Sequence, residues 1–350
     1  MIKKVTGQEY SMNVLNGISL GVVVALVPAA LVGGQLMQAL KGILPGAMQI
    51  VMMTTFAMSL LPVIAGLCVA IQFKLNPIQI SAVGIAAMVG SGVMQQVNGS
   101  FILKGTGDII NTGLTIAFAV WLALFLGDRF KNYTILLLPL LVIVIAGGAG
   151  LLVLPYVKLV ATTIGALIAH LTTLQPLLMG LLMGICFGIL VVSPISSVGI
   201  ATAIGLAGIG SGSANLGITA ASFMLAVYGS TANNFGTTIA HFIGSPKIQM
   251  GNLLQKPALF FPLSINAGIM GFVGGAIFGI KGGNPMSAGF GFSGLIGPSA
   301  AYQQMPHSGV NLGLLVLLFV VLPVLLAYLS RYLFVERLKW FRADDLLLQI

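Results

Sequence analysis

Long apolar runs, separated by short polar breaks, set the frame of the chain. Ten are read: 14–40, 46–73, 78–96, 110–127 and 133–157, then 176–208, 214–243, 258–280, 286–303 and 309–334. A hydrocarbon core about 30 Å thick takes roughly 20 apolar residues of helix, so each run predicts one membrane crossing. A weakly amphipathic stretch, 158–175, separates the fifth run from the sixth. The expected division is a polar N-terminal tail at 1–13, a first half at 14–157, a connector at 158–175 and a second half at 176–334. The last segment, 335–350, is basic and leucine-rich, and Trp340 suits the headgroup layer.

The two halves echo each other. Gly84 to Gly113, laid without gaps on Gly268 to Gly297, matches at eight of thirty positions, and six of these are glycines: Gly84/Gly268, Gly90/Gly274, Gly99/Gly283, Gly105/Gly289, Gly107/Gly291 and Gly113/Gly297. Each copy reads as an apolar helix, a GG or NG break, an irregular Gly-rich segment and a closing Gly. Irregular backbone is tolerated at membrane depth only where it is buried in protein or lines a cavity. Paired breaks in corresponding halves therefore point to a transport site. The first spans also correspond: Gly17-Ile18 and Gly21 precede Pro28, and Gly184-Ile185 and Gly188 precede Pro194. Five spans per half is an odd number, which requires the repeats to be inverted in the membrane. With the N-terminus inside, ten basic residues fall on the cytoplasmic side and five outside (Lys41, Lys104, Lys158, Lys247, Lys256). That bias predicts both termini in the cytoplasm.

Composition sharpens this picture. The chain is 58% hydrophobic and 6% charged, with mean hydropathy +1.08, which excludes a water-soluble domain of this size. The net charge of +9 is scattered at the ends of apolar runs without interleaved aromatics, so no nucleic-acid partner is expected. Cys68 and Cys186 lie inside apolar runs and fit no metal or redox spacing. The first thirteen residues carry no cleavage pattern, and the first span is expected to stay as an anchor. No HExxH, P-loop or paired-carboxylate spacing is present, and no metal or cofactor is expected.

Polar side chains within spans are costly unless they face a cavity or each other. Three clusters stand out. The first holds Gln95, Asn98, Asp108 and Asn111, where Asp108 is the one acid in a candidate site. It would accept hydrogen bonds from solute hydroxyls, or pair with Lys104 on a surface loop. The second holds Asn284, Ser287 and Ser293, with Phe290 and Phe292 suited to stacking on a sugar-like face or to plain packing. The third, 208–241, is the most polar span-length segment. It includes Ser211, Ser213 and Asn215, and its site candidates are Asn233, Asn234 and His241. Small residues and hydroxyls there serve helix packing equally well.

The two Gly-rich repeats, the segment NNFGTTIAHFIGSPKIQMGN at 233–252 and the loop GNPMSAGFGFSGLIGP at 283–298 resemble the EIIC-type membrane proteins of the phosphoenolpyruvate–sugar phosphotransferase system. The resemblance is to the standalone branch that includes the regulatory protein PfoR. It covers nearly the whole chain and implies an all-α polytopic protein of the bacterial inner membrane, a homodimer that binds a sugar-like solute between its halves. In sugar-transporting members a membrane-embedded Glu and His hold the sugar. This sequence has no intramembrane Glu, and His241 is the nearest candidate for the His. Cys68 and Cys186 sit within spans rather than in a phosphocysteine domain, so sugar phosphorylation by the chain itself is not expected. The combined expectation is a permease with about ten helices in two inverted five-span repeats. Each half would give a Gly-broken re-entrant hairpin to a polar site. The rival expectations are a membrane sensor that binds a ligand without net transport, and a permease that hands its solute to separate EIIA and EIIB phosphotransfer proteins.

Overall fold

The computed structural model describes residues 6–32, 37, 40, 42–127, 129–283 and 285–348. The fold is helical almost throughout. Among the described residues, five helices are long and apolar enough to cross a membrane, and a sixth span arises if one bent pair counts as a single crossing. These are α1 (Gly7–Val32), the bent pair α2 (Ala47–Ser59) and α3 (Leu61–Gln72), α5 (Ile109–Leu126), α6 (Lys131–Leu171), α12 (Pro257–Gly275) and α14 (Gly309–Arg337). The pair α2 and α3 bends by 51° where Pro62 opens α3; proline has no N–H to continue the ladder. The other expected crossings fold as shorter pieces: α4 (Pro77–Gly90), α7 (Pro176–Val192) and α8 (Ser197–Ala203), then α9 (Gly208–Gly229) and α10 (Phe235–Ile239). The run 286–303 holds two 3₁₀ turns and the short helix α13 (Ile296–Tyr302).

The connector 158–175 is helix as far as Leu171, and Pro155 is held inside α6. One local expectation is corrected: the segment after α4 is not irregular. Met94–Val97 (β1) and Ser100–Leu103 (β2) pair antiparallel, with Gln95 opposite Ile102. Asn98 and Gly99 form the turn with φ of 49° and 79°, the left-handed pair that a two-residue hairpin requires.

The chain divides into two compact units. Among the described residues, one comprises 6–26 and 52–160, and the other 27–32, 42–51 and 161–348, so 42–51 clusters with the second-half residues. In the first unit, Gly17 and Gly21 let α1 lie directly on α3. A Cβ at either would come within 2.5 Å of the Val69 or Ala65 backbone. In the second unit, Gly184 and Gly188 of α7 do the same against α12, where a Cβ at Gly184 would meet Ala267 O at 2.4 Å. Both glycine pairs are close-packing faces of the small-residue kind that joins helices in lipid. Within the second unit α9 is buried along nearly its whole length, and Gly217 faces the Gly184 backbone. Exposed leucines line α6 and α14: Leu136, Leu152, Leu159, Leu167, Leu325 and Leu329. An apolar surface of that extent fits hydrocarbon rather than water.

Candidate functional site

The second unit holds the candidate site, and α9 is its spine. The helix carries buried Ser211, Ser213, Asn215, Thr219 and Ser222. The last two spend their hydroxyls inside the helix: Thr219 Oγ1 donates to Asn215 O (2.7 Å) and Ser222 Oγ to Ile218 O (2.8 Å). The first three differ. Ser211 Oγ, Ser213 Oγ and Asn215 Nδ2 are buried and have no hydrogen-bond partner among the described residues. An unmade hydrogen bond of this kind costs about 1–3 kcal/mol each.

The Gly-rich stretch 279–297 lies along these side chains. Gly282 N donates to Gly208 O (2.9 Å), and Gly291 N donates to Asn215 Oδ1 (2.9 Å). Ser197 Oγ holds the same stretch from α8 by donating to Gly289 O (2.8 Å). Gly275 and Gly282 press so closely on Ser213 and Ser211 that an added Cβ would fall 1.7 and 1.9 Å from the hydroxyl oxygens. Gly291 has φ of 60°, and its Cβ would strike Ile218 at 2.4 Å. Ser287 and Ser293 are buried on the same stretch. Phe292 packs into an aromatic cluster with Phe223 and Phe242, centroids 5.5 and 6.1 Å away. Asn284 lies outside the described residues.

A second polar network begins where α9 ends. Asn234 caps α10 by accepting from Thr237 N (2.8 Å). His241 is fully buried in the π-helical turn Ala240–Gly244. Its Nδ1 lies 2.8 Å from Thr237 O and its Nε2 lies 2.9 Å from Gln249 Nε2. A carbonyl only accepts, so Nδ1 carries the proton and Nε2 accepts from the glutamine amide. The ring is thereby fixed as one neutral tautomer. Gln249 Nε2 also donates to Leu346 O (2.8 Å), and Gln249 Oε1 accepts from Asn252 Nδ2 (2.7 Å). Asn233 reaches the same tail segment.

Lys247 adds a buried cation just beyond this turn. Its ammonium donates to the carbonyls of Ser193 and Ile195, capping the broken end of α7. Burial pushes the lysine down to about 7, because the charged form loses its hydration there.

The first-unit candidates have local tasks. Gln95 and Asn98 lie on the exposed hairpin. Asp108 caps α5 by accepting from Asn111 N (2.9 Å). Asn111 is fully buried, and its amide donates to Gly90 O and Gly150 O, tying α5 to α4 and α6. The structure thus brings Asp108 to Asn111, and in the second unit brings Ser287 and Ser293 to the stretch that covers α9.

A family model described as phosphotransferase system, EIIC, matches residues 12–348. The chain belongs to the phosphotransferase system EIIC family. No curated protein matches it.

For an EIIC protein, the arrangement offers neutral hydrogen-bonding groups rather than charge. Among the described residues no group of three or more His, Cys, Asp or Glu could hold a metal ion. Hydroxyls and amides with unused capacity suit a hydroxyl-rich solute, which both donates and accepts. Sequence reasoning had the 208–241 segment but did not single out Ser211, Ser213 and Asn215 from their paired neighbours. Their i, i+2, i+4 spacing carries no signal without the loop that covers them. Gln249 had no signal at all. Lys247 had one: it is among the basic residues on the minority side of the charge bias.

Proposed function

We propose that this EIIC protein is the permease for a small polar, sugar-like solute, moved by alternating access. The carrying observation is the trio Ser211, Ser213 and Asn215, buried with hydrogen-bonding capacity that no described residue fills. The closed conformation carries that cost. A solute whose hydroxyls met these groups would relieve it when the 279–297 stretch moves aside. Ser287 and Ser293 belong to the moving wall, and His241 Nε2 becomes an acceptor for the solute only when Gln249 lets go of it. In this reading α4, α7 and the broken pieces supply the remaining crossings of a ten-span, twofold inverted architecture. Both termini lie in the cytoplasm of a bacterial inner-membrane homodimer, and separate EIIA and EIIB proteins phosphorylate the solute.

The test is uptake of radiolabelled mono- and disaccharides into proteoliposomes, with and without added EIIA and EIIB proteins. Uptake of at least one sugar supports the permease. Saturable binding without uptake in either condition would replace it with the second reading, a PfoR-like ligand sensor. That reading has an observation of its own: the C-terminal segment is hydrogen-bonded to Gln249, which also holds His241.

A further inference from the structure

The C-terminal segment 342–348 lies in a groove that reads mainly its backbone. Leu346 O accepts from Asn233 Nδ2 (2.8 Å) and Gln249 Nε2 (2.8 Å), and Leu347 O accepts from Asn252 Nδ2 (3.1 Å). Leu348 N donates to Asn233 Oδ1 (3.0 Å). One asparagine therefore takes both the carbonyl before residue 347 and the amide after it, as a neighbouring strand would. Two side chains are read as well. Leu346 is fully buried against Gly229, whose added Cβ would lie 3.2 Å from Leu346 Cβ. Asp345 pairs with Lys256. Leu347 and Asp344 face outward.

Backbone hydrogen bonds tolerate many sequences, while pockets at alternate side chains give selectivity. The groove made by Gly229, Asn233, Gln249, Asn252 and Lys256 thus specifies a chain that turns through Ala343–Leu346 and extends at Leu347, with an acid followed by a leucine at the end of the turn. Arg337 and Lys339 lie just before the tail in sequence, in a chain of net charge +9, which favours an acidic visitor. We propose that this groove is a peptide-binding site, self-occupied by the tail, that accepts an acid–leucine turn followed by an extended residue from a partner protein in its place. The tether gives the tail an effective concentration on the order of millimolar, so an untethered segment competes weakly until the tail is released. Exchange would reach His241, because the amide group of Gln249 touches both Leu346 O and the imidazole. The proposal stands on the groove alone and does not depend on the solute reading.

The test uses the full-length protein and a fluorescein-labelled peptide of residues 342–349, RADDLLLQ. Leu346→Asp places a carboxylate in the apolar pocket and releases the tail in cis. Asp345→Lys releases it independently by facing Lys256 with a like charge. The expected result is saturable peptide binding to both variants, at least about tenfold tighter than to the wild type. Adding Asn233→Leu should remove that binding. A peptide with serine in place of Asp344 and Leu347 should bind within about threefold of the original. Absence of binding to both release variants, or binding that survives Asn233→Leu, would overturn the groove. A tenfold loss for the serine peptide would confine the groove to the chain's own tail and overturn the partner exchange. Sugar uptake by the wild type is a separate readout, so failure here leaves the transport reading where it was.

Discussion

Gly282→Ala is the sharpest perturbation of the contact between α9 and its covering stretch. The new methyl would fall 1.9 Å from Ser211 Oγ, 2.6 Å from Ser211 Cβ and 2.9 Å from Ser211 C. A rotamer change clears only the first of these. The loop must therefore retreat by about 1 Å, which forces strain of about 1–3 kcal/mol. Retreat also stretches the 2.9 Å bond from Gly282 N to Gly208 O, worth about 1 kcal/mol. The expected destabilisation is about 2–4 kcal/mol, measured as thermal unfolding of the purified protein in detergent. Ser211→Gly removes the two side-chain atoms in the way, although a helix-interior glycine costs about 1 kcal/mol by itself. In the double variant, the two changes should couple favourably by about 1–2 kcal/mol. A Gly282→Ala protein that melts like wild type would refute the packing argument. So would a double variant no better than the sum of its parts.

Other positions give independent checks. Asn111→Leu strips the donors from buried Gly90 O and Gly150 O, and at about 1–3 kcal/mol per orphaned group it should lower the unfolding temperature markedly. Asp108→Asn keeps a capping side chain on α5 and should leave melting and sugar uptake unchanged, whereas Asp108→Ala should cost about 1 kcal/mol; uptake lost in the Asn variant with melting intact would return Asp108 to the solute site. Lys247 gives a pH signature. Its pKa is pushed to about 7 in the fold against 10.5 for the free side chain, so between these values the unfolded chain binds more protons and stability rises with pH. Unfolding temperature relative to Lys247→Met should therefore climb from pH 7 to pH 10, and parallel curves would contradict the burial argument.

Much of the architecture is legible from hydrophobic runs and glycines, because lipid forces backbone bonds to close within each helix. The glycine pairs at 17 and 21 and at 184 and 188 mark helix faces that touch backbone to backbone. The hairpin at 94–103 was equally legible, since Asn98-Gly99 between β-prone residues is a strong turn signal. The expectation of re-entrant irregular backbone hid it. Prolines act differently at two positions inside the expected runs: α6 continues through Pro155, while α7 stops before Pro194. The site was only half readable. Composition shows which segments are polar but not which side chains bond to their own helix. Thr219 and Ser222 do so, and Ser211 and Ser213 do not. Asn233 and Asn234 are neighbours in the sequence with different bonds: one holds the C-terminal segment and the other caps α10. Pairings separated by about a hundred residues leave no local pattern.

The most direct test of the solute site compares unfolding of the wild type and a Ser211→Ala, Ser213→Ala double variant, each alone and with a panel of sugars. Deleting a hydroxyl that has no partner removes a desolvation cost, so the sugar-free variant should melt at or above the wild-type temperature. The same variant should lose the sugar-induced rise in melting that the wild type shows. Lower stability without sugar, or a sugar-induced rise equal to that of the wild type, would contradict the account.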